Sequence, residues 1–203
     1  MVKSKRRYLT LAILRSNKAC KPRYDYLTEK LGSDFRDDEP LTLTRILEIN
    51  GASDCLWAFG CFEAKYNEEL KIIAMTIAVW SACQVLKYFE RELQSNYGPL
   101  KAIEATKAYL ENPSDNAARA AAYIAYSLTK YDACTSSNAV RAFSDIAYAV
   151  GTAAYGAIDA AAEAGIKASK SIVAAAHAID GVNIDIRQAI ADKLKTLLME
   201  KGW

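Results

Sequence analysis

The chain is short of the residues that most enzymes use for proton transfer and metal binding. It has a single histidine, His177, set in the alanine run Ala174–Ala178. A lone His without an oriented partner reads as a structural residue, because a general base needs a second group to fix its tautomer. The five cysteines, Cys20, Cys55, Cys61, Cys83 and Cys134, are odd in number and never fall in C-x-x-C spacing. That excludes the common zinc and dithiol patterns and fits a reducing compartment. Four prolines leave long stretches unbroken. Alternation of β-branched and polar residues is almost absent, which argues against strands. No excess of one charge sign exists either: the formal net charge is only +2.

Alanine is present in abundance. From Ala102 to Ala178 it returns in clusters, among them 120–122, 160–162 and 174–176. Alanine has the highest helix propensity, because ordering it costs no side-chain entropy. A helix faced with it can lie close against its neighbour. Large apolar residues elsewhere recur at helical spacing. Ile46 pairs with Ile49, Ile73 with Ile77 and Trp80, and Ile186 with Ile190, Leu194 and Leu197. Phe143, Ala147, Val150, Ala154 and Ile158 form another such stripe. These patterns predict an all-α protein, a single irregular bundle of about seven to nine helices. Trp57, Phe59 and Trp80 are expected in its core.

The 203 residues are 52% apolar, enough for one proper core. One helical domain over 1–203 is expected. It comprises a basic N-terminal helix and acidic loop (1–40), tryptophan-containing helices (41–112), and alanine-rich helices with a C-terminal helix (113–203). Gly32-Ser33-Asp34 to Pro40, Asn50-Gly51, Asn96 to Pro99, Asn112 to Asp115 and Asp180 to Asn183 carry turn and capping signals. The apolar run Ile72–Leu86 is too short to cross a bilayer and contains Thr76, Ser81 and Gln84. The run Tyr8–Leu14 ends at Arg15 rather than at a cleavage site, which argues against export. A cytoplasmic location is the expectation.

No nucleophile elbow, phosphate loop, zinc-protease helix or dinucleotide fingerprint occurs. The sequence therefore points to a binder, with no catalytic residues, no cofactor and no metal. Its candidate contact residues lie on two alanine-rich helices. Arg119, Tyr123, Tyr126 and Lys130 share one face of the first. Arg141, Tyr148 and Tyr155 share one face of the second, with Asp145, Thr152 and Asp159 beside them. Arg, Lys and Tyr suit a protein-interface hot spot, and they suit a phosphate with a stacked base equally well. The same stripes are also what the solvent side of any surface helix would carry. The basic arm from Lys3 to Arg23, interleaved with Tyr8, Tyr24 and Tyr26, raises nucleic-acid binding as a further alternative. The acids Asp34, Asp37, Asp38 and Glu39 nearby weaken it.

Two passages carry a family likeness. Ile46-Leu47-Glu48-Ile49-Asn50-Gly51 leads into Asp54-Cys55-Leu56-Trp57-Ala58-Phe59. Then Val85-Leu86-Lys87-Tyr88-Phe89-Glu90 precedes Pro99-Leu100-Lys101-Ala102-Ile103-Glu104-Ala105 and the run Asn116–Ala122. This order resembles the immunity-protein family of bacterial toxin systems, which has members in phage genomes. The likeness spans roughly residues 42–165. The family flanks its turn proline with arginines, where this chain has Gly98 and Leu100. The resemblance implies a small cytoplasmic all-α inhibitor or binder and leaves its target open. The function expected is non-catalytic neutralisation of a protein toxin or effector of a bacterial or phage conflict system by sequestration. A sponge for a small immune signalling nucleotide is the alternative. Membrane partners are not expected, and a homodimer is compatible with alanine-faced helices.

Overall fold

A computed structural model describes residues 7–93, 98–128 and 186–203. These form eight α-helices and two 3-10 turns: α1 (Leu11–Ser16), α2 (Lys21–Leu31), α3 (Leu43–Asn50), α4 (Ala52–Ala58), α5 (Asn67–Leu93), α6 (Gly98–Glu111), α7 (Asp115–Leu128) and α8 (Ile186–Glu200), with 3-10 turns at Phe59–Cys61 and Ala64–Tyr66. The protein is an all-α bundle, as the periodicity predicts. Among the described residues, extended pairing is limited to one antiparallel bridge, Leu9 with Leu41. Both residues are buried there. The bridge closes the acidic loop 32–40 against the start of α1, assisted by a bond from Ala12 N–H to the Asp37 carbonyl.

Local chemistry sets the helix ends. The Thr10 hydroxyl accepts from the Ile13 N–H at 3.2 Å and caps α1. Thr42 does the same for α3 through Arg45, and Ser114 for α7 through Ala117. Pro22 lies in the first turn of α2, where its missing N–H has no cost. Gly51 separates α3 from α4 with φ at +84°. A side chain there would find open space, so the need for glycine is one of backbone conformation.

The core is built around α5. Leu70, Ile73, Ala74, Met75, Ile77 and Ala78 are all 1% exposed or less. Burial on more than one face marks a central helix rather than a surface one. α8 packs on it and on α3 and α4. Ile190, Leu194 and Leu198 form the inward stripe of α8, while Leu197 is only partly buried. That shifts the expected stripe by one residue at its last turn. Lys195 donates to the Glu48 carboxylate at 2.9 Å across the edge of the α3–α8 contact. The chain then returns Trp203 edge-on to Phe62 and Tyr66, at centroid separations of 4.9 and 5.2 Å. The Arg7 guanidinium lies over the Trp203 ring at 5.0 Å.

α6 and α7 pack along one another across the short connection at 112–114. α6 contributes Ile103, Thr106 and Tyr109, and α7 contributes Ala118 and Ala121. The alanines face inward here, in agreement with the close-packing face read from the sequence. No described helix is long and apolar enough to cross a membrane.

Candidate functional site

Helices α1 to α4 enclose a cleft of about 210 Å³. Leu14, Leu27, Ile46 and Ala58 give it apolar walls, and all four are buried. Tyr24 and Trp57 contribute rings, and Arg23 and Asp54 contribute charges. Trp57 is 37% exposed. This corrects the expectation that placed it in the core. Its neighbours Cys55, Leu56, Ala58 and Phe59 take the inward positions of α4 and the following turn. Trp57 is left at the opening. Of the other two rings, Phe59 is fully buried and Trp80 is partly buried.

Tyr24, Asn50 and Asp54 are held before any ligand arrives. Arg15 donates to the Tyr24 hydroxyl at 2.8 Å and to Asp37 at 2.9 Å. These two hydrogen bonds, Tyr24 first, raise the Arg15 pKa and keep it charged. Tyr24 is thereby pinned from outside the cleft. The Asn50 amide donates to the Arg23 carbonyl at 3.0 Å and to Asp54 Oδ2 at 2.8 Å. Arg23 Nε approaches the same oxygen at 4.0 Å. The Asn50 side-chain oxygen is buried with no hydrogen-bond partner among the described residues. A buried acceptor thus stays unsatisfied in a cleft lined by two rings.

Cys55 lies behind this wall, fully buried, and donates to the Leu43 carbonyl at 3.4 Å. Burial, and to a lesser degree the charge of Asp54, pushes its pKa far up. It stays a thiol and packs as a small apolar group. Among the described residues, no group of three or more His, Cys, Asp or Glu side chains is placed to hold a metal ion.

The contact residues read from the sequence distribute differently. Arg119 is exposed on α7, opposite in character to the buried Ala118 and Ala121. Tyr123 and Tyr126 follow it on the same helix at the i+4 and i+7 positions, with side chains outside the described set. Lys130, Arg141, Tyr148 and Tyr155 lie outside the described residues, as does His177. The structure therefore places Arg119 at the surface, and the second stripe lies outside the described residues.

The basic arm is partly described. Arg7 reaches Glu69 at 3.3 Å and also donates to the Lys201 carbonyl. Arg15 meets Asp37 and Lys21 meets Asp25, at 2.9 and 2.7 Å. Each of these cations has an acid beside it, which flattens the positive field that a phosphate backbone would need. Lys3, Lys5 and Arg6 lie outside the described residues.

The cleft residues Asn50, Asp54 and Trp57 were not singled out from the sequence. A signal existed. The Asn-Gly turn sets Asn50 at the end of one helix and Asp54 in the first turn of the next, where an acid is favoured by the helix N-terminus. What the periodicity could not show is that α2 runs beside α3 and closes the fourth wall. Comparisons with family models, curated proteins and solved structures return no match for this chain.

Proposed function

We propose that this protein is a non-catalytic binder of a bacterial or phage conflict system, which neutralises a protein toxin or effector by sequestering it. The observation that carries the reading is the mouth of the α1–α4 cleft. There Trp57, Tyr24 and Arg23 surround an apolar hollow. Tryptophan, tyrosine and arginine are the residues that dominate protein-interface energetics, above all when they border a preformed pocket. Their supports are rigid: two capped or glycine-ended helices and a pinned tyrosine. Little ordering entropy is then lost on binding. The likeness to immunity proteins supplies the biological setting, and exposed Arg119 on the alanine-backed α7 supplies a second contact face.

The test is survival of cells that carry the toxin system or receive the phage challenge, with variants of this chain expressed beside it. Arg23→Ala with Trp57→Ala is expected to abolish protection while the protein stays folded. Arg119→Ala with Tyr123→Ala is expected to weaken or abolish it as well. His177→Ala is expected to leave protection intact, because sequestration needs no proton transfer. Loss of protection by well-folded His177→Ala alone, with the cleft variants active, would replace this reading with a catalytic one.

A further inference from the structure

We infer that the α1–α4 cleft receives a single aromatic side chain bearing a hydrogen-bond donor, a tyrosine or tryptophan presented by the partner protein. This rests on the binding function proposed above and names the chemistry of the contact. Three observations lead to it.

The first is size. Small-molecule sites run from about 300 to 1,000 Å³, and the cleft holds about 210 Å³. Within its walls that is room for one ring system.

The second is the wall chemistry. Leu14, Leu27, Ile46 and Ala58 offer apolar surface, and the rings of Tyr24 and Trp57 offer edge and face. Aromatic pairs gain beyond plain area burial when they meet offset or edge-on.

The third is an unsatisfied acceptor. Asn50 donates its amide to the Arg23 carbonyl and to Asp54 Oδ2, while its own Oδ1 is buried with no hydrogen-bond partner among the described residues. A purely hydrocarbon occupant would leave that acceptor unsatisfied. A phenol O–H or indole N–H would satisfy it. A cationic occupant is disfavoured, because the guanidinium of Arg23 stands on the same wall. An anion would face the Asp54 charge.

The test uses the full-length chain and small probes of the side chains. Binding of p-cresol, indole and toluene is followed by NMR through the Trp57 indole N–H and the Asn50 side-chain amide. Saturable shifts at both groups are expected with p-cresol and indole. Toluene, which has the ring without the donor, is expected to bind about tenfold more weakly. Asn50→Ala, which removes the acceptor, should bring the three within about twofold of each other. Ala19→Phe, which fills the cleft from its edge, should remove binding of all three, with the far-UV circular dichroism of both variants matching the unaltered chain. Equal binding of toluene and p-cresol by the unaltered chain would overturn the inference, as would absence of saturable shifts. Tighter binding of guanosine or n-butylamine than of p-cresol would overturn it too, in favour of a nucleobase or a cation. These outcomes concern the isolated chain. They are separate from the protection experiment, whose failure with ring binding intact would sink the proposed function alone.

Discussion

The central helix α5 buries Leu70, Ile73, Met75 and Ile77, whereas among the described side chains of α7 the buried ones are Ala118 and Ala121. Each large side chain on α5 removes enough apolar surface from water to contribute about 1.5–3 kcal/mol. An alanine contributes far less by area. What α7 has instead is intrinsic propensity, a serine cap and close approach to α6. The two regions therefore tolerate different insults. The α5 region fails when volume is removed. The alanine side of α7 fails when volume is added. The difference also bears on binding. A helix anchored by its small residues leaves its long polar side chains uncommitted, and Arg119 is one of these.

The largest expected effect comes from deleting volume where the core is deepest. Leu56 on α4 is fully buried. Leu56→Ala is expected to cost about 2–5 kcal/mol in denaturant unfolding. A loss below about 1 kcal/mol would show that the core of this region can collapse around the cavity, and would weaken the contrast.

Adding volume to α7 comes next. Ala121 is fully buried between α7 and its neighbours. Ala121→Leu is expected to cost about 1–3 kcal/mol by overpacking. Unchanged stability would mean that α7 lies on a yielding surface. The same test at Ala154, expected from the sequence to sit in a close helix contact, concerns a position outside the described residues.

The smallest effect sharpens the comparison at its margin, where α3 meets α8. The hydrogen bond from Lys195, then its charge, and the charge of Arg45 hold the Glu48 carboxyl below its ordinary value of 4.5. A depressed carboxylate stabilises the fold above its unfolded pKa, and that stabilisation is lost as pH falls through the folded value. Glu48→Gln should therefore lower the melting temperature slightly at pH 7. The gap to the unaltered chain should close as pH falls below 4.5. A gap that persists at low pH would assign the effect to packing. The pair is exposed, so the shift is expected to be small.

Helix content was legible across the described residues, because the 3-4 spacing of apolar residues is local information. So were the breaks: Asn50-Gly51 ends α3 at a positive φ, and Ser114 caps α7 as its position suggests. The inward position of Ala118 and Ala121 fits the close approach that alanine-faced helices allow. Trp57 was misplaced because hydrophobicity alone favours burial. On a helix of seven residues, periodicity cannot say which of Leu56 and Trp57 turns inward. The cleft was illegible for a different reason. Its walls come from α1, α2, α3 and α4, and only their packing brings Arg23 to Asp54. Long-range juxtaposition of this kind leaves no mark in a spacing pattern.

The most direct test of the binding account is native mass spectrometry of the full-length protein recovered from toxin-bearing or phage-infected cells. The unaltered chain and the Arg23→Ala, Trp57→Ala variant would be compared side by side. The expected result is a defined protein mass retained on the unaltered chain and on His177→Ala, and lost from the cleft variant. A small phosphate-bearing mass in place of a protein would contradict the account and favour nucleotide sequestration. Equal retention of the protein partner by the cleft variant would contradict the assignment of the α1–α4 cleft as the contact.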